Sequence, residues 1–170
     1  MDVEQLRGRA VVSVQQAEKI GTVHDVLVDT SAHRLAGLVL QGGLFRGGPS
    51  IAWADVRTIG QDAVMVDDRR AAANATVDGA VKLADLRGRK VVTDSGELAG
   101  TIDGLDFDPE TGTIAHYIVA GQSGGLFRTA PRYQLPPQAV AAVGDGLITV
   151  DARTIDFQRA PQPEPPPAQH

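Results

Sequence analysis

The chain has 170 residues, 42% of them hydrophobic and 22% charged, which suits one ordinary domain or two small ones and excludes both global disorder and a large multidomain enzyme. A net charge of −5 argues against a nucleic-acid binder held by phosphate contacts. The absence of cysteine removes disulfides, thiolate zinc sites and cysteine nucleophiles together. Aromatic residues make up only 4%, so Val, Ile, Leu and Ala must build the core, while 19 Gly and 10 Pro point to many turns and to β structure. No apolar run approaches the roughly 20 residues of a membrane helix, and MDVEQLRGR lacks a signal-peptide core. No membrane insertion and a cytoplasmic location are therefore expected.

The chain contains itself twice. Leu6-Arg7-Gly8-Arg9 recurs as Leu86-Arg87-Gly88-Arg89, and each is followed two residues on by Val-Val. Gly21-Thr22-Val23 matches Gly100-Thr101-Ile102, Leu38-Val39 matches Tyr117-Ile118, and Val66-Asp67 matches Val150-Asp151. Gly42-Gly43-Leu44-Phe45-Arg46 returns unchanged as Gly124-Gly125-Leu126-Phe127-Arg128. Matches in the same order, at a separation that drifts only at turns, mark a tandem duplication. The expected organisation is a first copy over residues 1–67, a linker over 68–85, a second copy over 86–157 and a Pro-rich disordered tail over 158–170.

Inside each copy the apolar period is two, the mark of strands. Arg9–Val14, Gly21–Asp29, Arg34–Gln41, Ser50–Trp53 and Ala63–Asp67 are short, β-branched and bounded by turn residues. Alternation breaks once, near Asp25 and again near Asp103-Gly104, where an extra residue predicts a β-bulge that bends the strand. Asp108-Pro109-Glu110-Thr111-Gly112 supplies the next turn, with Pro to set φ and Gly where φ is positive. Asp29 to His33 is its weaker counterpart. Five or six strongly bent strands per copy predict an all-β chain of two small barrels related by a pseudo-twofold. The predicted cores hold Val11, Val23, Val26, Val28 and Leu38, and Val91, Ile102, Leu105, Phe107 and Tyr117.

Candidate chemistry is sparse. Asp106, Asp108 and Glu110 have the alternate spacing of a calcium loop, but Gly falls seventh rather than sixth and Tyr117 stands where the bidentate Glu belongs. The histidines His24, His33, His116 and His170 show no ligand spacing, and no nucleophile elbow, zincin motif or phosphate loop occurs. No catalytic, cofactor-binding or metal residue is assigned, no cofactor is expected, and the chain reads as a non-enzyme. In the Gly-Gly-Leu-Phe-Arg segments, Phe45 and Phe127 with Arg46 and Arg128 have the composition of interface anchors, although Leu-Phe can equally tuck onto the barrel rim.

The order Leu-Arg-Gly-Arg, Ile20-Gly21-Thr22-Val23-His24-Asp25-Val26, an Asp turn, Leu38-Val39-Leu40, Gly-Gly-Leu-Phe and Ser50-Ile51-Ala52-Trp53-Ala54-Asp55-Val56 resembles the PRC-barrel family. That family includes the cytoplasmic domain of the photosynthetic reaction-centre H subunit and the C-terminal domain of a ribosome maturation factor. The second copy departs from the pattern at Arg132-Tyr133-Gln134-Leu135-Pro136-Pro137, which predicts an altered edge. The resemblance implies a six-stranded barrel used as a binding module or adaptor, and it brings no catalytic residues. Acidic residues outnumber basic ones in both copies and aromatics are few, so an RNA or ribosomal accessory role is disfavoured. The leading expectation is a non-catalytic protein-interaction module with an unidentified protein partner, self-association being one form this can take. A small-molecule or metal-sensing barrel is the alternative.

Phe45→Ala and Phe127→Ala separate the two readings of the repeated segment. A packed ring removed from either should cost about 3–5 kcal/mol of stability. An exposed anchor should leave the melting temperature unchanged and weaken association by roughly 2 kcal/mol or more, read by light scattering.

Overall fold

The repeated Leu-Arg-Gly-Arg opens each half of the fold in the same way. In the computed structural model, which describes residues 1–42, 47–73, 77–122 and 131–153, Gly8 and Gly88 take φ of 78° and 79°. Only glycine enters that left-handed turn without strain. Their N–H groups donate to the carbonyls of Val23 and Ile102, both at 2.8 Å. The next residues, Arg9 and Arg89, reach the carbonyls of Gly60 and Gly144 at 2.6 and 2.7 Å. Each motif thereby ties the entry of its half to that half's long strand and to its last turn.

The strands in chain order are β1 (Ala10–Ser13), β2 (Glu18–Asp29), β3 (Arg34–Gln41), β4 (Gly47–Ala52), β5 (Val56–Ile59), β6 (Ala63–Val66) and β7 (Val81–Lys82). A single helical turn, α1 (Leu83–Leu86), precedes β8 (Lys90–Thr93), β9 (Leu98–Phe107), β10 (Ile114–Ala120), β11 (Arg132–Leu135), β12 (Val140–Val143) and β13 (Leu147–Val150). The first sheet runs β4-β3-β2-β1-β6-β5 and the second β11-β10-β9-β8-β13-β12, the same order element by element. Neighbours are antiparallel except β1 with β6 and β8 with β13, which are parallel. Two tandem barrel-like domains result, as the alternation predicts. The two prolines of the second copy leave a 3-10 turn at Pro137–Ala139 with the same entry dihedrals as its counterpart Trp53–Asp55, and β11 is shorter than β4.

The bulges lie where alternation breaks. Val23 faces Leu40 and Asp25 faces Val39, which leaves His24 as the extra residue. Ile102 faces Val119 and Gly104 faces Ile118, which leaves Asp103 extra at the equivalent place. None of the ten predicted core residues is more than 3% exposed. Aliphatic side chains on strands 10 to 12 residues long, curled by a bulge, are enough to fill a small barrel.

The stretch expected as linker contributes to the fold at its far end. Val81 and Lys82 pair antiparallel with Val28 and Leu27, adding a seventh strand to the first sheet, and α1 packs on β2. The other half does the same in reverse. Asp2 bridges to Asp106, Met1 and Phe107 exchange both backbone hydrogen bonds at 2.9 Å, and the 3-10 turn Val3–Leu6 packs on β9. Val3 and Leu83 are 1% and 2% exposed, and Leu6 and Leu86 are fully buried. Each half therefore lends its leading segment to the other half's long strand. A second contact lies on the pseudo-dyad: Arg34 pairs with Thr113, its own counterpart, through Leu35 N–H to Gly112 O at 2.8 Å and Ile114 N–H to His33 O at 2.9 Å. Alone, a barrel of this size buries only about 60% of its unfolded surface, so docking supplies core that neither half holds by itself.

Leu83→Ala should destabilise the whole chain by about 2–5 kcal/mol in urea titration, the range for a buried Leu. A loss below 1 kcal/mol would return residues 81–86 to the role of tether.

Candidate functional site

The site is built where the two halves meet. The turn that ends β2 begins with Asp29, whose Oδ1 accepts from the N–H groups of Ser31 and Ala32, both at 3.0 Å, and from the Ser31 hydroxyl at 2.7 Å. The Ala32 N–H, then the Ser31 hydroxyl, hold the Asp29 carboxyl below its ordinary range. This Asx turn delivers His33 at φ 50°, the position its counterpart Gly112 occupies at φ 75°. His33 then crosses the dyad. Its Nδ1 lies 2.9 Å from the Tyr117 hydroxyl, and the rings meet edge to face at 5.9 Å. Burial lowers the His33 pKa, with the nearby Asp29 opposing, and burial pushes the Tyr117 phenol well up. A neutral imidazole and a neutral phenol share that hydrogen bond at pH 7.

On the opposite side of the dyad the contact has different chemistry. The Trp53 indole covers Gly112 and meets Phe107 edge to face at 6.0 Å. A Cβ built on Gly112 would lie 2.6 Å from the indole Cε2 and Nε1, closer than side chains approach. Here the glycine is required by a neighbour as well as by its φ. The counterparts of Trp53 and Gly112 are Pro137 and His33, so the second copy has no indole to set against the first copy's turn.

Beside His33 a cleft of about 270 Å³ opens, lined by Thr30, Ser31, His33 and the strand Val140–Val143. That strand, β12, ends its sheet; among the described residues its one strand partner is β13, and Ala141 and Ala142 are exposed. The cleft thus offers a backbone edge on one wall and hydroxyl-bearing turn residues on the other. Among the described residues His33 is its one titratable lining group, and it is engaged with Tyr117.

The residues singled out from sequence fall elsewhere. Phe45, Arg46, Phe127 and Arg128 lie outside the described residues. Asp108 caps its own turn by accepting from Glu110 N–H at 2.9 Å, while Asp106 lies at the bridge to Asp2. His24 is the exposed bulge residue and His116 is half-buried on β10. No group of three His, Asp or Glu suited to a metal ion occurs among the described residues. Among them, too, no helix is long and apolar enough to cross a membrane. Sequence reading placed Tyr117 in the core but did not pair it with His33, and it gave Trp53 no role. The available signal was the mismatch between copies, His33 against Gly112 and Trp53 against Pro137.

Two bent sheets that share one six-strand order, the first with β7 added, and that are joined through exchanged leading segments define a tandem small-barrel module. A family model described as PRC-barrel domain matches the chain twice, over residues 1–72 and 78–156. The chain belongs to the PRC-barrel family and carries two such domains. No curated protein matches it.

The His33–Tyr117 contact makes a pH prediction. A histidine whose folded pKa is depressed contributes stability that is present above its unfolded value of about 6.5 and is lost as pH falls through the folded value. The melting temperature should therefore drop more steeply from pH 7 to pH 5 in the native chain than in His33→Asn. Parallel profiles would place the acid sensitivity elsewhere.

Proposed function

We propose that the chain is a non-catalytic protein-interaction module, an adaptor that works in the cytoplasm and presents binding surface rather than reactive groups. The observation that supports this reading best is the composition of the inter-domain cleft. Acid–base chemistry needs two titratable groups with separated pKa values, or a nucleophile with its base. Among the described residues the cleft contains a single imidazole, already bonded to a neutral phenol, and otherwise hydroxyl, alanine and valine side chains along a strand edge. Such a wall recognises a peptide backbone better than it transforms a substrate. The acidic balance of both copies fits a protein partner rather than nucleic acid.

The test pairs two measurements. Thermal-shift screening against divalent cations, nucleotides and common metabolites should give no saturable rise in melting temperature; a strong specific rise would favour a sensing barrel instead. Val143→Pro removes a backbone donor from the outer edge of β12: Val143 faces Ile148 in a pair that exchanges no hydrogen bonds, so its N–H points away from β13 and its loss should cost the fold little. Partners captured by the native chain should be lost from this variant at unchanged melting temperature. Retention of every partner would move the interaction away from the cleft.

A further inference from the structure

The contacts across the dyad are complementary in a way that symmetry alone does not require. In the first leading segment, the N–H of Glu4 is capped from within, by Asp2 Oδ1 at 2.9 Å. In the second, the equivalent N–H of Ala84 has no acceptor in its own segment, because Lys82 stands where Asp2 does. The acceptor comes from the other half: Asp25 on β2, 5% exposed, places Oδ2 at 3.4 Å from Ala84 N. The counterpart of Asp25, facing the self-capped first segment, is Gly104. One carboxylate serves each N–H, and both carboxylates, Asp2 and Asp25, belong to the first half.

The steric pattern agrees. Trp53 of the first half requires Gly112 of the second, where a Cβ would stand 2.6 Å from the indole. The first half carries His33 at that position. Were two first halves to dock in the same way, each indole would meet a histidine side chain, and Asp2 and Asp25 would direct two carboxylates at one N–H. Two carboxylates would then repel each other and compete for a single donor. Were two second halves to dock, Ala84 N–H would face Gly104 with no acceptor, and Gly112 would lose its indole cover. The electrostatic patch follows the same rule. Glu4 pairs with Arg87 of the other half, and Ala84 replaces Glu4 in the second copy, so two second halves would leave Arg87 without its acid.

We propose that the inter-domain face is a heterospecific recognition surface: a first-type barrel fits a second-type barrel and rejects its own kind. The partner this surface selects, within one chain or between two copies of the chain, is the complementary half. Trp53 with Gly112, and Asp25 with Lys82 and Gly104, set that choice.

A sequence-specific protease site placed at residues 74–76 of the full chain lets the folded protein be cut in two and weighed by native mass spectrometry at micromolar concentration. The cut native chain should persist as a 1:1 pair with no homodimer of the first half. His33→Gly with Asp25→Gly gives the first half the residues of the second at both positions, and it should then form homodimers after equilibration. Separation of the native halves, abundant native first-half homodimer, or a double variant that keeps its 1:1 pair yet forms no homodimer would each overturn the proposal. Gly112→His provides an independent reading should the double variant fail to fold. It sets the first copy's residue against Trp53 and should weaken the 1:1 pair at least 100-fold, and adding Trp53→Pro should restore it. An undisturbed pair in Gly112→His, or no recovery with Trp53→Pro, would also overturn it.

Discussion

The structure depends on the exchange of leading segments between its halves. A small bent sheet cannot close its own core: its long strand has an open flank, and the aliphatic face beneath it needs cover. Val81 to Leu86 cover that flank of the first barrel, and residues 1 to 6 cover the second. Four side chains with almost no exposure, Val3, Leu6, Leu83 and Leu86, fill the two grooves. The hydrophobic surface removed from water at these places belongs to neither half alone. Everything placed on the dyad, the paired turns at His33 and Gly112 included, inherits its geometry from that exchange.

The site follows from the same arrangement. Duplication alone would give two identical contacts across the dyad, yet one holds an indole on a glycine and the other an imidazole against a phenol. Pro137 stands where the first copy has its indole, and beside His33 lies a cleft bordered by a strand, β12, that ends its sheet among the described residues. Binding surface arises in this fold where the two copies have diverged from each other.

That divergence also explains what sequence reading could reach. The barrel, its bulges and its core were legible because period-two alternation in Gly21 to Asp29 and in Gly100 to Phe107 is local and occurs twice. The role of residues 81–86 was not, because six residues carry no period and their partners lie on β2, more than 50 residues away. A trace was present: Val3 and Leu6 align with Leu83 and Leu86, so the repeat begins upstream of its obvious motif. The pairings of Trp53 with Gly112 and of His33 with Tyr117 join residues from different copies, and no pattern within one copy can express them. The strand Val56–Ile59 was hidden by its half-exposed, charged sequence at the sheet edge.

The exchange imposes an order on biosynthesis. Residues leave the ribosome from the N-terminal end, and the first barrel lacks its seventh strand and the Leu83–Leu86 turn until those residues have emerged. Residues 1–6 wait longer still. Phe107 is 106 positions from Met1, and loop closure over that distance is entropically slow. Residues 1–6 are thus among the latest to be seated, and a nascent chain stalled near residue 80 displays one apolar groove with no occupant, together with Val3 and Leu6 that have no groove to enter.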